Sequence, residues 1–107
     1  VVEESATCAD SIDVHSPRRA TGARQAIRDS DGATVTVSED AIDDAITRLG
    51  RAEGIFAEPA SAATISGIER ARESGLIDRG DRVVAVVTGT GLKDADAARH
   101  ALDAAGD

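Results

Sequence analysis

Methionine, tryptophan and tyrosine are absent from this chain of 107 residues, and one phenylalanine, Phe56, supplies all of its aromatic content. A single cysteine, Cys8, excludes an internal disulfide and a cysteine-built metal cluster. Lysine is almost missing as well: Lys93 stands alone beside eleven arginines. Positive charge is in deficit overall, since thirteen aspartates and seven glutamates leave a net charge of −8. Nucleic acid phosphates and anionic lipid are therefore poor partners. No apolar run approaches the roughly 20 residues of a membrane span, and no stretch reads as a signal peptide, so the expected setting is soluble and cytoplasmic.

Large apolar side chains are scarce too. Valine, isoleucine, leucine and Phe56 make up about a fifth of the residues, near the level at which a packed core becomes hard to assemble. Alanine supplies much of the remaining apolar content and buries little area per residue. A thin core, strong self-repulsion and a start at Val1 without methionine lead to the expectation of a partial domain: residues 1–107 as a piece of something larger. Abundant carboxylate with arginine in place of lysine suits a very salty cytoplasm, where ions screen the repulsion. An extreme halophile is the source this composition suggests.

What the chain does contain is a clear alternation of elements. Arg18 to Ser30 reads as a helix carrying Ala20, Ala23, Ala26 and Ile27 on one side, and Asp31-Gly32 as a turn. Thr34 to Val37 is β-branched and strand-like. Ser38 has N-cap chemistry, followed by Glu39 and Asp40 at the positive end of a helix dipole. Ile42, Ala45, Ile46 and Leu49 then recur at helical spacing, with Asp43, Asp44, Thr47, Arg48 and Arg51 facing away. Gly54 is a C-cap candidate, Ile55 to Ala57 a very short strand, and Pro59 a good first residue for a helix that runs to about Glu73 and ends at Gly75. A turn at 78–81 leads to Val83–Val87, the composition of a strand buried on both faces. An alanine-rich helix follows from Asp94 to Ala105. The order predicts an α/β fold: a three-layer parallel sheet with flanking helices.

The residues with chemical potential cluster at two places. Beyond the valine run lies Thr88-Gly89-Thr90-Gly91, where hydroxyls alternate with glycines at the carboxyl end of a predicted strand, the edge at which α/β proteins gather ligands. The same residues could equally make a tight loop, because neither GxxxxGK[ST] nor a helix-opening GxGxxG is present. The second place is the start of the second long helix, where Glu58 precedes the small residues Ser61, Ala62, Ala63 and Thr64. Glu58 reads either as an acid favoured by the helix dipole or as a carboxylate lining a pocket. Lys93 reads best as a lysine neutralising nearby acid. His15 and Cys8 share no spacing that supports a metal or catalytic pair.

EGIFAEPASAAT (53–64), followed some twenty residues later by VVTGTGLKD (86–94), resembles the C-terminal part of the threonine synthase family, pyridoxal-phosphate enzymes of the tryptophan synthase β-subunit type. ADSIDVHSP, AIRDSDG and TVTVSEDAI are similar to that family as well, so the likeness covers about Ala9 to Asp94. Threonine dehydratases share an EPA-like segment and are the close alternative; a non-catalytic acidic ligand-binding module is the distant one. The chain departs from the family at Thr90, where His or Asn is frequent.

The resemblance implies a pyridoxal 5′-phosphate cofactor in the full-length parent. The Thr88 hydroxyl would meet its pyridine nitrogen, the backbone at Gly89 and Gly91 would pass close to the ring, and Glu58 and Ser61 would line the pocket from the helix side. It implies conversion of O-phosphohomoserine and water to threonine and phosphate. The family's cofactor-anchoring lysine and glycine-rich phosphate loop have no counterpart here, and Lys93 belongs to the pyridine-side loop. The chain alone is thus expected to be inactive, to need the remaining portion of the same enzyme as its partner, and to be compatible with a homo-oligomer.

The carboxylate-rich surface predicts that folding requires molar salt. Circular dichroism melts in dilute buffer and in molar potassium chloride check this, and an equally cooperative fold in dilute buffer would contradict it.

Overall fold

A computed structural model describes residues 6–106. Four α-helices organise the described residues: α1 (Ala20–Asp29), α2 (Glu39–Glu53), α3 (Pro59–Glu73) and α4 (Ala95–Ala104), with short 3₁₀ turns at Asp10–Ile12 and Gly91–Lys93. The local chemistry that predicts these helices also bounds them. The Ser38 hydroxyl accepts from the backbone N–H of Ala41 at the start of α2, with Glu39 and Asp40 in the first turn. Gly54 ends α2 in the left-handed conformation, φ 66°, which a side chain would oppose. Pro59 opens α3, and Asp94 caps α4 by accepting from the N–H of Ala97.

Helix α2 is the centre of the molecule, packed against α3 on one side and α4 on the other. Ile42, Ala45, Ile46 and Leu49 are buried as their spacing predicts, and they meet Ala9, Ala57, Ala62 and Ala101 in one cluster. Five of the eight residues in that cluster are alanine, so the core is thin. Polar bonds join the helices where apolar area is short: the Ser66 hydroxyl on α3 donates to the Ala41 carbonyl of α2 at 3.0 Å, and the Thr47 hydroxyl on α2 donates to the Ala101 carbonyl of α4 at 3.4 Å. Helix α1 buries none of its residues, although its alanines and Ile27 share a face.

Two expectations need correction. The predicted three-layer parallel sheet does not form among the described residues: neither Thr34–Val37, Ile55–Ala57 nor Val83–Val87 belongs to a strand ladder. The sole pairing there is an antiparallel bridge between Ala57 and Thr90. A strand is a shared structure, and its backbone groups need neighbours on which to close a ladder. Val84 and Val86 are 88% and 65% exposed, while Val87 packs against the core. The alternation of a strand is therefore present without a partner.

The second correction concerns α2, where Asp43 and Thr47 face protein rather than water because α4 covers that side. Asp43 is buried, with Oδ1 unpartnered and Oδ2 at 3.5 Å from His100 Nε2. Desolvation raises its pKa, with Glu39 and Asp40 adding to the rise, while the attraction of His100 opposes it. His100 is mostly exposed, so its pull is solvent-screened and desolvation prevails.

A raised folded-state pKa contributes stability that is present below the unfolded carboxylate value and lost as pH rises through the folded one. Asp43→Asn is accordingly expected to stabilise the fold near neutrality by about 1 kcal/mol, with the advantage shrinking in mild acid as Asp43 protonates. Thermal melts of both proteins across that range check it; a less stable variant at neutrality would make His100 the dominant influence.

Candidate functional site

The Ala57–Thr90 bridge holds the site together. Around it the Glu58 N–H donates to the Gly89 carbonyl at 3.1 Å, and the Gly91 N–H donates to the Phe56 carbonyl at 2.8 Å. These bonds lay the TGTG turn across the N-terminus of α3. Both places singled out in the sequence thereby become one, although 27 residues separate Ser61 from Thr88.

Ser61 is the fastener. It is 1% exposed and stands in the first turn of α3. Its Oγ accepts from the backbone N–H of Thr88 at 3.2 Å and of Gly89 at 2.6 Å, and lies 3.2 Å from Thr88 Oγ1. Thr88 itself is exposed, while its hydroxyl is in part-buried contact with Ser61.

Glu58 sits beside this clasp as the N-cap residue of α3, 5% exposed and without a side-chain cap bond. Its Oε2 is 3.2 Å from Lys93 Nζ and 3.2 Å from the Ser11 hydroxyl. Glu58 is thus a buried carboxylate rather than a solvent-facing one. Lys93 neutralises a local acid, as its isolation in the sequence suggests. Ser11, which also lies 3.2 Å from Asp10 Oδ1, has one proton to share between two carboxylates. No pattern in the sequence announces Ser11, because it arrives from 47 residues away.

Gly89 and Gly91 are required here by the chain's own packing. A Cβ on Gly89 would fall on the Glu58 side chain, and one on Gly91 on the Phe56 ring. Neither glycine adopts a positive φ. Phe56 is half exposed and has room to swing aside, whereas Glu58 does not.

Among the described residues no group of three or more potential metal ligands comes together. Burial first, and then the hydrogen bond and charge of Glu39, push the Cys8 thiol up to about 12, which leaves it protonated and a poor nucleophile. No helix among the described residues is long and apolar enough to cross a membrane.

The chain matches the family model of pyridoxal-phosphate dependent enzymes over residues 1–89 and belongs to that family. Its relatives include the threonine synthase of Methanocaldococcus jannaschii, 45% identical over 91% of this chain and 24% of that protein. The threonine synthase of Halalkalibacterium halodurans is 41% identical over 96% of this chain and 29% of its own length. That of Mycobacterium tuberculosis is 42% identical over 91% and 27%. The chain thus spans about a quarter of the relatives it matches. Members of the family work with pyridoxal phosphate.

The donor set fits the ring side of that cofactor. The Thr88 hydroxyl suits a neutral nitrogen acceptor, and the carboxylate of Glu58 is already paired with Lys93.

Ser61→Ala would strand the Thr88 and Gly89 N–H groups and is expected to cost about 1–3 kcal/mol. Gly89→Ala would evict Glu58 from its contacts with Lys93 and Ser11 and destabilise more than Gly91→Ala, which displaces only Phe56. Denaturant titration of the three variants ranks them, and equal losses at the two glycines would refute the packing argument.

Proposed function

We propose that this chain is the C-terminal portion of a threonine synthase-like enzyme that converts O-phosphohomoserine and water to threonine and phosphate, and that it supplies the pyridine side of the cofactor site. The observation that carries this reading is the juxtaposition of Ser61, Thr88 and Gly89, in a chain whose relatives at 41–45% identity are named threonine synthase. Pyridoxal phosphate, when bound, supplies an electron sink for elimination and replacement on an amino acid substrate.

The chain's own residues have narrower tasks. Thr88 offers its hydroxyl to the ring nitrogen, and because a hydroxyl is neutral it does not hold that nitrogen protonated as a carboxylate would. Glu58, fixed through Oε2 by Lys93, borders the same loop. Gly89 and Gly91 keep the turn low enough to lie over α3. Ser61 ties the loop to the helix.

Lys93 is occupied by Glu58 and does not serve as the lysine that anchors the cofactor aldehyde. That lysine and the phosphate-binding loop belong to the remaining three-quarters of the relatives' length, so residues 1–107 form a partial domain that is inactive alone. In the longer protein Val83–Val87 enters a parallel sheet of the three-layer α/β kind, which covers Val84 and Val86. The molecule works in the cytoplasm.

Phosphate release from O-phosphohomoserine, with threonine as co-product, tests the reading in the longer protein. Activity there and none in residues 1–107 is the expected pair of results. Release of a 2-oxo acid from threonine, without phosphohomoserine turnover, would reassign the parent as a dehydratase. Thr88→Val in the active protein is expected to lower kcat by about ten- to a hundred-fold, the loss of one hydrogen bond of about 1–3 kcal/mol.

A further inference from the structure

Two features of the chain lack the partner that their chemistry asks for. The first is Asp43 on α2, 9% exposed, whose Oδ1 accepts no hydrogen bond. It lines a cavity of about 230 Å³ between α2 and α4, with Asp40, Asp44, Ala101, Ala104 and Ala105 around it. The wall supplied by α4 is the C-terminal end of that helix, the negative pole of its dipole. His100 reaches Asp43 Oδ2 and Arg48 reaches Asp44 Oδ2, which leaves Asp43 Oδ1 unserved. No group of three potential metal ligands comes together among the described residues, so the cavity calls for an N–H donor rather than a metal ion. Rotation about χ2 exchanges the two carboxylate oxygens, and a donor is met without movement of the backbone.

The second feature is α1 and the turn before it. In a chain of net charge −8, the stretch between Asp13 and Asp29 carries Arg18, Arg19, Arg24 and Arg28 and no carboxylate. Helix α1 buries none of its residues, and these four guanidinium groups make no ion pair among the described residues. Arg24 and Arg28 stand one turn apart, beside the stripe of Ala20, Ala23 and Ile27. Asp40 and Asp44 have the same one-turn spacing on α2. A basic pair edged by small apolar side chains therefore matches, in spacing and in sign, an acidic pair edged by alanines.

We infer that α1 of one copy docks on the α2–α4 cavity of a second copy of this chain, with Arg24 and Arg28 set against Asp40, Asp43 and Asp44. A second copy is the partner because every chain carries both patches, and α1 does not cover the cavity of its own chain. Guanidinium is the fitting donor, since it is planar, always charged and forked to meet carboxylate oxygens. Repulsion between copies of net charge −8 falls away within a few ångströms in molar salt, whereas a pair made at the buried Asp43 is screened much less.

Sedimentation of the longer protein in molar potassium chloride tests the contact. The wild-type protein is expected to associate. Arg24→Glu/Arg28→Glu and Asp40→Lys/Asp44→Lys should each weaken association by about ten-fold or more. An equimolar mixture of these two variants should associate again, because the reversed charges of one meet the reversed charges of the other. Asp43→Asn, expected to fold at least as well as the wild type, should weaken association about ten-fold and carries the test where the lysine variant does not fold. A wild-type protein that stays monomeric, or a mixture that stays apart, would overturn the proposal. Association unmoved by any of these substitutions would overturn it as well, and would assign the cavity to a basic side chain from elsewhere in the longer protein.

Discussion

The structure depends on one buried hydroxyl. Ser61 reaches from the first turn of α3 to two successive backbone N–H groups of the loop that ends the valine run. Without it the TGTG turn would keep only the Ala57–Thr90 bridge, a pairing of one residue on each side. Small side chains at the start of α3 let the loop come this close. The N-terminal end of α3 is buried at Pro59, Ser61 and Ala62. Helix, loop and buried carboxylate thus form one unit, in which Glu58 closes the side that Ser61 leaves open.

Around that unit the chain is economical to the point of fragility. Its apolar cluster is built from three larger side chains on α2 and five alanines. The helices are joined by hydroxyl-to-carbonyl bonds and by surface ion pairs such as Arg48 with Glu69, which stay half exposed and contribute little in water. Burial of Asp43 with one unpartnered oxygen costs stability. Its small apolar area, uncovered α1 and uncovered valine run support the proposal that it is part of a larger body. That agrees with its span of about a quarter of its relatives.

How much of this was legible before any coordinates follows from where each signal resides. Helices α2, α3 and α4 are local objects: Ser38, Gly54, Pro59 and Asp94 carry their boundaries in side-chain and backbone chemistry within a few residues. Val83–Val87 carries the composition of a strand, but a strand's ladder is completed by other chain segments, and none pairs with it among the described residues. Asp43 and Thr47 looked solvent-facing because helical periodicity orients a face without saying what will cover it, and α4 covers it. In the site, Glu58, Ser61, Thr88, Gly89 and Gly91 do converge. The reason for the glycines was not readable, since the bodies that exclude a Cβ, Glu58 and Phe56, are neighbours only in space. Ser11 left no trace in the pattern at all.

The uncovered valine run has a consequence for how such a polypeptide must be made. Val84 and Val86 turn outward while Val87 anchors inward, so the segment presents a β-competent edge and a greasy stripe together. Edges of that kind template pairing with any available chain, their own copies included. Lysine, the residue natural proteins use most to blunt them, is missing from 83–87 and stands only at Lys93. The flanking Arg82 and the surrounding acidic surface remain as gatekeepers by repulsion between like-charged copies. Folding is then a race in which this segment must be covered before it meets another copy of itself.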